Sequence, residues 1–417
     1  MKQLELVIVG GGSAGMAAAL SAFEQGIKDL IILEKDDELG GILQQCIHNG
    51  FGLQTFHEEL SGPAYAQRYI DQIRTKEIPF ETQATVIQIT PDKKITYVSP
   101  KNGYQEIQAK AIILAGGCYE RSAGGIQLPG TRPKGIYTAG TAQRYLNIDN
   151  VMVGRKVFIL GSGDIGLIMA RRMTLEGAEV VGVAELMPYS NGLMRNIVQC
   201  LEDFDIPLYL SHTVVRVEGF PNLERVIIAE VDAFRQPIDG TEKVFEADTL
   251  LLSVGLLPEN SLAKQLGLAV DTKSKGIIVN EKLESDIPGI FACGNGLHVH
   301  DLVDFVSSEG NLAGRNAAAY IHGMKESVAF IKCTAGQGIG YILPQCIHPD
   351  RIQEPLTFSL RVTKPYKQVK LRILKDGQVF KELPKRYLLP AEMVRIILKP
   401  EDLQDVQQEL KVEVCES

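Results

Sequence analysis

Three glycines near the start of the chain, Gly10, Gly12 and Gly15, have the spacing of a loop that holds a diphosphate. In such a loop the first glycine makes a tight turn, the second lets a pyrophosphate approach the backbone, and the third lets the next helix lie close to a sheet. The N–H groups and partial positive charge of the helix N-terminus would bind the pyrophosphate. Glu34, at the end of the next apolar run, would accept hydrogen bonds from a ribose diol.

The same pattern occurs a second time, with Gly161, Gly163 and Gly166 followed by Glu185. In both copies the acid follows the first glycine by 24 residues, from 10 to 34 and from 161 to 185. A single motif of this kind is weak support for a site, because many glycine-rich loops bind nothing. Two copies with identical spacing predict two dinucleotide-binding sites.

Each glycine turn needs a buried strand before it and a helix after it, and the apolar runs supply them. Other short apolar runs end in small or polar residues, as strands do where they meet a bound cofactor. Apolar runs predict strands at 4–9, 30–33, 157–160 and 180–184, the strand-like runs that end in small or polar residues are 111–117, 247–255 and 289–295, and a helix-like pattern extends from about 302 to 321.

The composition of the chain excludes several classes of protein. It has 417 residues, of which 45% are apolar and 23% charged, and this predicts two or three globular domains. A net charge of −8 argues against nucleic acid or an anionic membrane as the main partner. We expect no membrane span, since no apolar run approaches 18 residues. Residues 4–9 read as a core strand rather than a signal peptide, and seven scattered cysteines indicate a reducing compartment, so a cytoplasmic protein is expected.

With these motifs, residues 1–325 resemble the flavoproteins with two dinucleotide sites, the pyridine nucleotide-disulfide oxidoreductases. The resemblance implies an α/β fold with two Rossmann-like dinucleotide-binding domains, the NAD domain being inserted in the FAD domain. The expected FAD-binding domain is 1–120 with 257–330, and the expected NAD(P)-binding domain is 121–256. The expected activity is hydride transfer between NAD(H) and bound FAD, in which the cofactors supply the chemistry and no protein residue is a catalytic acid or base.

The resemblance also implies which residues contact each cofactor. Those expected at FAD are Gly10, Gly12, Ser13, Ala14, Gly15, Glu34, Lys35, Gly41, Val86, Ala115, Gly116, Gly294 and Asn295. Those expected at the nicotinamide nucleotide are Gly161, Gly163, Asp164, Ile165, Gly166, Glu185 and Gly255. The family usually has Asp at the position of Asn295, but an amide oxygen can still accept a hydrogen bond. Glu185 favours NAD over NADP, because a carboxylate accepts from a 2′-hydroxyl and repels a 2′-phosphate.

The cysteines differ from those of the disulfide reductases in this family. Neither a C-x-x-C nor a C-x-x-x-x-C pair occurs, and the segment 40–52, where one branch has its dithiol, has only Cys46. A relay to a disulfide substrate is therefore not expected. Cys46 is either a single peroxidatic thiolate beside the flavin or a small buried apolar residue. His48 in the same loop either touches the flavin or a partner, or is an ordinary hydrogen-bonded loop histidine.

Two groups of cysteines and histidines were weighed as metal ligands. Cys293, His298 and His300 form one group, and Cys333 with Cys346 and His348 forms the other. Neither has the paired spacing of a structural zinc or iron–sulfur site, so no metal is expected. His298 and His300 are expected to line the flavin cleft instead.

Two further runs, 41–53 and 293–304, resemble one branch of the family. The branch comprises the alpha-type subunits of opine, proline and sarcosine dehydrogenases and the flavoprotein associated with bacterial glycerol-3-phosphate dehydrogenase. The resemblance implies two partners, a small cysteine-containing protein and a substrate-oxidising flavoprotein subunit. Association of this chain with copies of itself is an alternative. Relatives in this branch often have four iron–sulfur ligands near the stretch 333–346, where this chain has two cysteines, so such a relay would belong to a partner.

The tail of the chain reads as a small β-rich C-terminal domain, 331–417. Strand-like runs at 357–362, 369–374 and 394–398 surround an Asp376-Gly377 turn, and a polar helix-like stretch is expected after them. The domain would serve either as a lid or homodimer contact, or as an interface with another subunit.

Three functions are consistent with these features. The first is an electron-transfer subunit of a glycerol-3-phosphate dehydrogenase-type complex. The second is a stand-alone NADH oxidase or peroxidase using flavin and Cys46. The third is a non-catalytic FAD-containing assembly subunit, which the intact second glycine motif argues against.

Overall fold

The computed structural model describes residues 2–323, 327 and 330–416. The first part of the chain builds a sheet in which strands follow the order β5-β2-β1-β8-β7-β6. The inner strands β1, β2 and β8 are parallel, and β2 with the second half of β1 is apolar and buried, as strands covered on both faces must be. The elements are β1 (Lys2–Val9), α1 (Ser13–Glu24), β2 (Leu30–Leu33), β3 (Asn49–Phe51), β4 (Leu60–Ser61), α2 (Gly62–Thr75), β5 (Phe80–Glu81), β6 (Thr85–Ile89), β7 (Lys94–Ser99), β8 (Gly103–Leu114) and β9 (Cys118–Glu120).

The middle of the chain builds a second parallel sheet, in the order β10-β17-β11-β12-β13, and a three-stranded antiparallel sheet, β14-β15-β16. The elements are β10 (Ile136–Thr138), α3 (Ala139–Asn147), β11 (Lys156–Leu160), α4 (Asp164–Leu175), β12 (Glu179–Glu185), α5 (Met194–Cys200), β13 (Leu208–Leu210), β14 (His212–Glu218), β15 (Arg225–Glu230), β16 (Lys243–Glu246), β17 (Thr249–Leu252) and β18 (Leu256–Pro258).

The remainder returns to the first sheet and then forms the C-terminal sheets. Strand β19 pairs with β8, and the tail forms a five-stranded sheet, β22-β20-β27-β24-β25, and a three-stranded sheet, β21-β23-β26. The elements are α6 (Ser261–Leu266), β19 (Ile290–Ala292), α7 (Val303–Ile321), β20 (Ile331–Ala335), β21 (Ile339–Leu343), β22 (Cys346–Ile347), β23 (Leu356–Val362), β24 (Tyr366–Lys375), β25 (Gln378–Leu388), β26 (Val394–Leu398) and β27 (Glu409–Glu416).

The chain divides into two compact units. One comprises Met1–Gln44, Asn49–Cys118 and Pro258–Ser417, and the other comprises Gln45–His48 and Tyr119–Leu257. Each unit contains one parallel sheet with a glycine turn, and the first also contains the β-rich sheets of the tail. The predicted α/β fold with two Rossmann-like sheets and a small β-rich part is confirmed. The expected domain boundaries, at 120, 257 and 330, stay predictions.

Helices α1 and α7 approach each other unusually closely in the first unit. A Cβ atom added to Gly310 would lie 2.2 Å from the backbone oxygen of Ala14, and one added to Gly314 would lie 2.2 Å from that of Ala18. The two glycines are one helical turn apart, as are the two alanines, so at these two points small residues let the helix backbones touch. This packing fixes the N-terminus of α1, where the first glycine turn ends.

The C-terminal sheets are tied to the rest of the first unit by an ion pair. Arg361 on β23 binds the Asp301 carboxylate and donates to the backbone oxygen of Val299 at 3.1 Å. Both side chains are largely buried. Burial alone would lower the pKa of the Arg361 guanidinium, but the neighbouring Asp301 carboxylate raises it above its usual value. Asp301 also accepts from the backbone N–H of Met393 at 2.5 Å.

One expectation for the tail is wrong. The polar helix-like stretch predicted after residue 398 is a short 3₁₀ turn, Pro400–Asp402, followed by strand β27. In β27 the residues that alternate with Glu409, Glu413 and the other polar side chains are buried. The period is therefore two, and the charged side chains that suggested a helix lie on the less buried face of a sheet.

Candidate functional site

The first glycine turn joins β1 to α1 and leaves open space at its centre. Gly10 has φ +106°, and a Cβ there would lie 2.3 Å from the backbone oxygen of Ala115. A Cβ on Gly15 would lie 1.9 Å from the oxygen of Gly10, so both positions need glycine for the turn itself. A Cβ on Gly12, by contrast, would meet nothing within 4 Å. Gly12 is the N-cap residue of α1 and offers no side chain to cap it, so the first amides of the helix face an open cradle.

Glu34 is held against this turn. One carboxylate oxygen accepts from the backbone N–H of Gly11 at 2.6 Å, and the other accepts from that of Asp36 at 2.8 Å. The residue is only 4% exposed. Two backbone donors fix the carboxylate at the end of β2, where the ribose of a dinucleotide on the turn is expected.

The second glycine turn joins β11 to α4 and has the same construction. Gly161 has φ +98°, and a Cβ there would lie 2.1 Å from the backbone oxygen of Ser253. A Cβ on Gly163, the N-cap residue of α4, would have as its nearest neighbour the Ser253 hydroxyl at 3.3 Å. The N–H of Gly166 donates to the same hydroxyl at 3.1 Å. The amides nearer the start of α4 again face a cradle.

Glu185 repeats the arrangement of Glu34. One oxygen accepts from the backbone N–H of Ser162 at 3.0 Å and from its hydroxyl at 2.7 Å. The other accepts from the N–H of Met187 at 2.9 Å. In both units the acid is bound by the residue after the first glycine and by the residue two positions after the acid. The equal spacing in the sequence thus corresponds to equal geometry.

Several other residues predicted at FAD lie at the first turn. A Cβ on Gly41 would lie 3.3 Å from Cα of Gly12, and one on Gly294 would lie 2.7 Å from Cβ of Ala14. The N–H of Ala115 donates to the oxygen of Val9 at 2.8 Å, which places β8 beside the turn. Ser13 and Ala14 are the first two residues of α1, and Gly116 follows Ala115. Lys35 is exposed next to Glu34, and Val86 is half-buried in β6.

Asn295 is fixed by the loop that follows it. Its side-chain oxygen accepts from the backbone N–H of His300 at 3.0 Å, and its amide nitrogen donates to Sγ of Cys118 at 3.6 Å. The preceding residue, Gly294, donates its N–H to a carboxylate oxygen of Glu309 at 2.6 Å. Sequence reasoning missed Glu309. A carboxylate among the small residues of α7 was the available signal, because such a helix is expected to be buried.

The remaining residues predicted at the nicotinamide nucleotide are less uniform. The Asp164 carboxylate accepts from the N–H of Leu193 at 2.8 Å and from the side-chain amide of Asn196 at 2.7 Å. The side chain of Asp164 thus holds a neighbouring loop, and its backbone N–H is the group that would contact a nucleotide. Ile165 follows in α4, and Gly255 has φ +101° just beyond β17. Sequence reasoning missed Ser253, whose place at the end of a buried strand was a usable signal.

The residues present fit dinucleotides at both turns. Each turn combines a second glycine where an added Cβ would meet no backbone atom closer than 3.8 Å, an N-cap glycine that offers no side-chain cap and a buried carboxylate aligned by two backbone donors. FAD at the first turn and a nicotinamide nucleotide at the second would each place a diphosphate on the helix end and a ribose at the acid. The individual residue assignments stay predictions.

Cys46 belongs to the segment 45–48 of the second unit and lies against α3. Its thiol contacts the side-chain oxygen of Gln143 at 3.8 Å, and Gln143 also accepts from the side chain of Gln45 at 3.0 Å. Burial raises the pKa of the Cys46 thiol to about 12. The residue is half-buried, and its raised pKa favours the neutral thiol. Burial likewise lowers the pKa of the nearby His48 imidazole.

The model of one protein family, described as pyridine nucleotide-disulphide oxidoreductase, matches residues 4–317. Hydrogen cyanide synthase subunit HcnB of Pseudomonas protegens is 24% identical over 318 residues, which cover 70% of this chain and 66% of HcnB. NADH oxidase of Methanocaldococcus jannaschii is 26% identical, over 77% of this chain and 68% of that protein. One of the subunits of opine oxidase from Agrobacterium tumefaciens is 22% identical, over 70% of this chain and 61% of that protein.

Among solved structures, thioredoxin reductase of T. acidophilum superposes with a TM-score of 0.62 at 22% sequence identity, over 76% of this chain and 99% of that one. This likeness concerns the fold. Within the part of the chain that the structure describes, we find no helix that is both long and apolar enough to cross a membrane. The family match extends over both glycine turns and both carboxylates, and its members bind FAD and NAD(P). The chain belongs to the pyridine nucleotide-disulphide oxidoreductase family and is an FAD- and NAD(P)-dependent oxidoreductase.

Proposed function

We propose that the chain transfers a hydride between NAD(H) and bound FAD as the electron-transfer subunit of a multi-subunit dehydrogenase. The observation that carries the proposal is the repeated geometry of the two turns, each with an open second glycine and a carboxylate bound to the turn amide. The bound cofactors supply the redox chemistry. The protein binds the two diphosphates on helix ends, aligns the two riboses through Glu34 and Glu185, and needs no acid or base for hydride transfer.

NAD is the proposed nucleotide at the second turn. Glu185 is 4% exposed and its carboxylate is already oriented by three hydrogen bonds from Ser162 and Met187. A 2′-phosphate placed beside this carboxylate would meet a fixed negative charge, whereas a 2′-hydroxyl would find an acceptor. This supports NAD over NADP.

The subunit role is supported by HcnB and the opine oxidase relative, both of which are named as subunits. The proposed partners are a substrate-oxidising flavoprotein and a small cysteine-containing protein. Glycerol 3-phosphate as the partner's substrate rests on the resemblance of 41–53 and 293–304 alone. A cytoplasmic location is part of the proposal and rests on the scattered cysteines.

The stand-alone oxidase or peroxidase remains the alternative, since an NADH oxidase is among the relatives. That chemistry would use the thiolate of Cys46. Burial raises the pKa of that thiol, which disfavours the thiolate at neutral pH. The structure therefore gives Cys46 no support as a nucleophile.

Gly163→Val tests the proposal. Gly163 has φ −65°, which valine can adopt, and a Cβ there would lie 3.3 Å from the Ser253 hydroxyl, a contact that a small shift of that side chain relieves, so the fold should survive while the side chain occupies the cradle over α4. We expect the variant to keep its flavin absorption and to lose anaerobic bleaching by NADH. The control is Gly124→Val, on a loop where a Cβ has only the Ser122 hydroxyl near it, at 3.9 Å.

The matching variant at the first turn is Gly12→Val, where a Cβ also has room. It should be purified without flavin. Normal bleaching by NADH in Gly163→Val would remove the second turn from the proposal, and normal flavin content in Gly12→Val would remove the first.

A further inference from the structure

Three side chains of the first unit point their polar atoms at one another, and the hydride-transfer proposal uses none of them. Nε2 of His298 lies 2.9 Å from Oε1 of Glu309, and Nε2 of His300 lies 3.5 Å from the same oxygen. The side chains are 1%, 5% and 11% exposed for His298, His300 and Glu309. The histidines lie in the loop before α7 and the glutamate lies on α7 itself.

Two of the three separations match those of ligands on one metal ion. Two imidazole nitrogens and one carboxylate oxygen, all within 4.8 Å of one another, are a common ligand set for a divalent transition metal. With metal–ligand bonds of about 2.0–2.2 Å, ligand atoms on one ion lie about 2.9–3.5 Å apart in octahedral or tetrahedral geometry. Both measured distances to Oε1 of Glu309 fall in that interval.

The ring of His300 is oriented by Asn295. The side-chain oxygen of Asn295 accepts from the backbone N–H of His300, so the amide orientation is fixed. Nδ1 of His300 lies 3.3 Å from that same oxygen. The other ring nitrogen, Nε2, is therefore the one directed at the Glu309 carboxylate.

The outer contacts also have the pattern of a metal site. In such sites the second nitrogen of a ligating histidine and the second oxygen of a carboxylate are usually hydrogen-bonded. Nδ1 of His298 lies 3.3 Å from the Tyr341 hydroxyl, and Nδ1 of His300 bonds Asn295. The second oxygen of Glu309 accepts from the N–H of Gly294 at 2.6 Å. Each ligand is thus oriented by a partner outside the cluster.

A cavity of about 430 Å³ within the first unit reaches this cluster. His300 and Glu309 form part of its wall, together with Phe305, Met393 and Arg395. The cavity has space for water or a small anionic ligand next to two of the three side chains. An ion held there would therefore keep a coordination position open, as catalytic rather than structural metal ions do.

We propose that His298, His300 and Glu309 bind one divalent first-row transition-metal ion, with Zn²⁺ as the representative, and that its open position faces the cavity. The metal proposal does not rest on the hydride-transfer function, although Glu309 and His300 bond Gly294 and Asn295, two residues predicted at FAD. Its failure would leave the result expected for Gly163→Val unchanged.

Titration of the EDTA-dialysed, FAD-loaded protein with Co²⁺ alone tests the proposal, with the visible d–d bands of Co²⁺ as readout. We expect one Co²⁺ per chain and displacement of the bands by Zn²⁺. Removing a ligand in His300→Gln or Glu309→Gln should weaken binding by at least the ~10–100-fold that disturbing a metal's outer contacts costs. The control is His57→Gln, an exposed histidine of the same unit.

The flavin spectrum and a thermal melt of each variant show whether it is folded. Absence of a Co²⁺ spectrum in the wild-type protein would overturn the proposal, whatever the variants do. So would equal affinity in folded His300→Gln, Glu309→Gln and His57→Gln proteins. In that case the three side chains form a hydrogen-bonded cluster that binds no metal.

Discussion

At the scale of single residues, two carboxylates accept hydrogen bonds from backbone amides of the glycine turns without a ligand being bound. Glu34 and Glu185 each use one oxygen for the glycine turn and the other for the residue two positions later in the chain. Hydrogen bonds to a charged group are each worth about 1.5–3 kcal/mol. The charge at these positions therefore affects both the shape of the turn and the choice of ligand.

Glu185→Gln should weaken NADH binding and reduce discrimination against NADPH. The amide keeps the shape of the side chain but loses the charge and one of the two acceptor oxygens. A loss of about 1.4 kcal/mol corresponds to about tenfold in the dissociation constant. The measurement is anaerobic stopped-flow reduction of the flavin at a series of NADH and NADPH concentrations.

The control for that variant is Glu179→Gln, an exposed glutamate on the same strand. It should have wild-type constants for both nucleotides. If Glu185→Gln has them too, the second carboxylate does not contact the nucleotide, and the argument for NAD fails.

At the scale of elements, the glycine pair on α7 determines how closely that helix can approach α1. Gly310 and Gly314 leave no room for a Cβ against Ala14 and Ala18. Because α1 begins at the first glycine turn, any shift between the helices would also move the amides expected to bind the FAD diphosphate.

Gly314→Ala should destabilise the protein through this contact. The added methyl would lie 2.2 Å from the Ala18 oxygen, so the helices must separate, at a cost of about 2 kcal/mol. We expect a lower melting temperature and weaker retention of FAD. The exposed Ser308→Ala on the same helix is the control and should change stability by less than about 0.5 kcal/mol. Equal melting temperatures for the two variants would contradict the close packing of α1 and α7.

The elements were also where sequence reasoning was most and least successful. Strands such as β2 and β17 were predictable because apolar residues fill them from end to end. The strand β27 was missed because its buried residues alternate with charged ones, and charge dominates a short window. Glu309 and Ser253 were missed for another reason, since each acts on a turn that is 15 or 87 residues away in the chain.

At the scale of the whole molecule, a buried charge pair is one of the contacts that bind the tail to the rest of the first unit, beside those of His348 with Glu281 and of Gln345 with Val279. Arg361 bonds Asp301 and also donates to the backbone oxygens of Val299, Pro390 and Ala391. The position of the β-rich sheets relative to α7 thus depends on a guanidinium that serves several acceptors at once. Sequence patterns predicted the sheets, but nothing in them indicated this pair, because its residues are 60 positions apart.

Arg361→Met should loosen the C-terminal sheets. Removing one partner leaves Asp301 and three carbonyl groups buried without their donor, and breaking such a pair costs about 3–5 kcal/mol. We expect a lower melting temperature and faster proteolysis after residue 330. The control, Arg372→Met, removes an arginine whose ion pair with Glu382 is more exposed. Equal proteolysis rates for the two variants would show that other contacts hold the tail.

The bonds that Glu34 and Glu185 make to their turns have a thermodynamic consequence. A loop that folds only around its ligand loses conformational entropy at that moment, and the loss is subtracted from the affinity. Here the loop amides are already ordered by the protein's own carboxylates, so a dinucleotide meets a rigid, preorganised surface. Protein stripped of flavin should therefore stay folded at the first turn, and it is a suitable host for reconstitution with flavin analogues of altered redox potential.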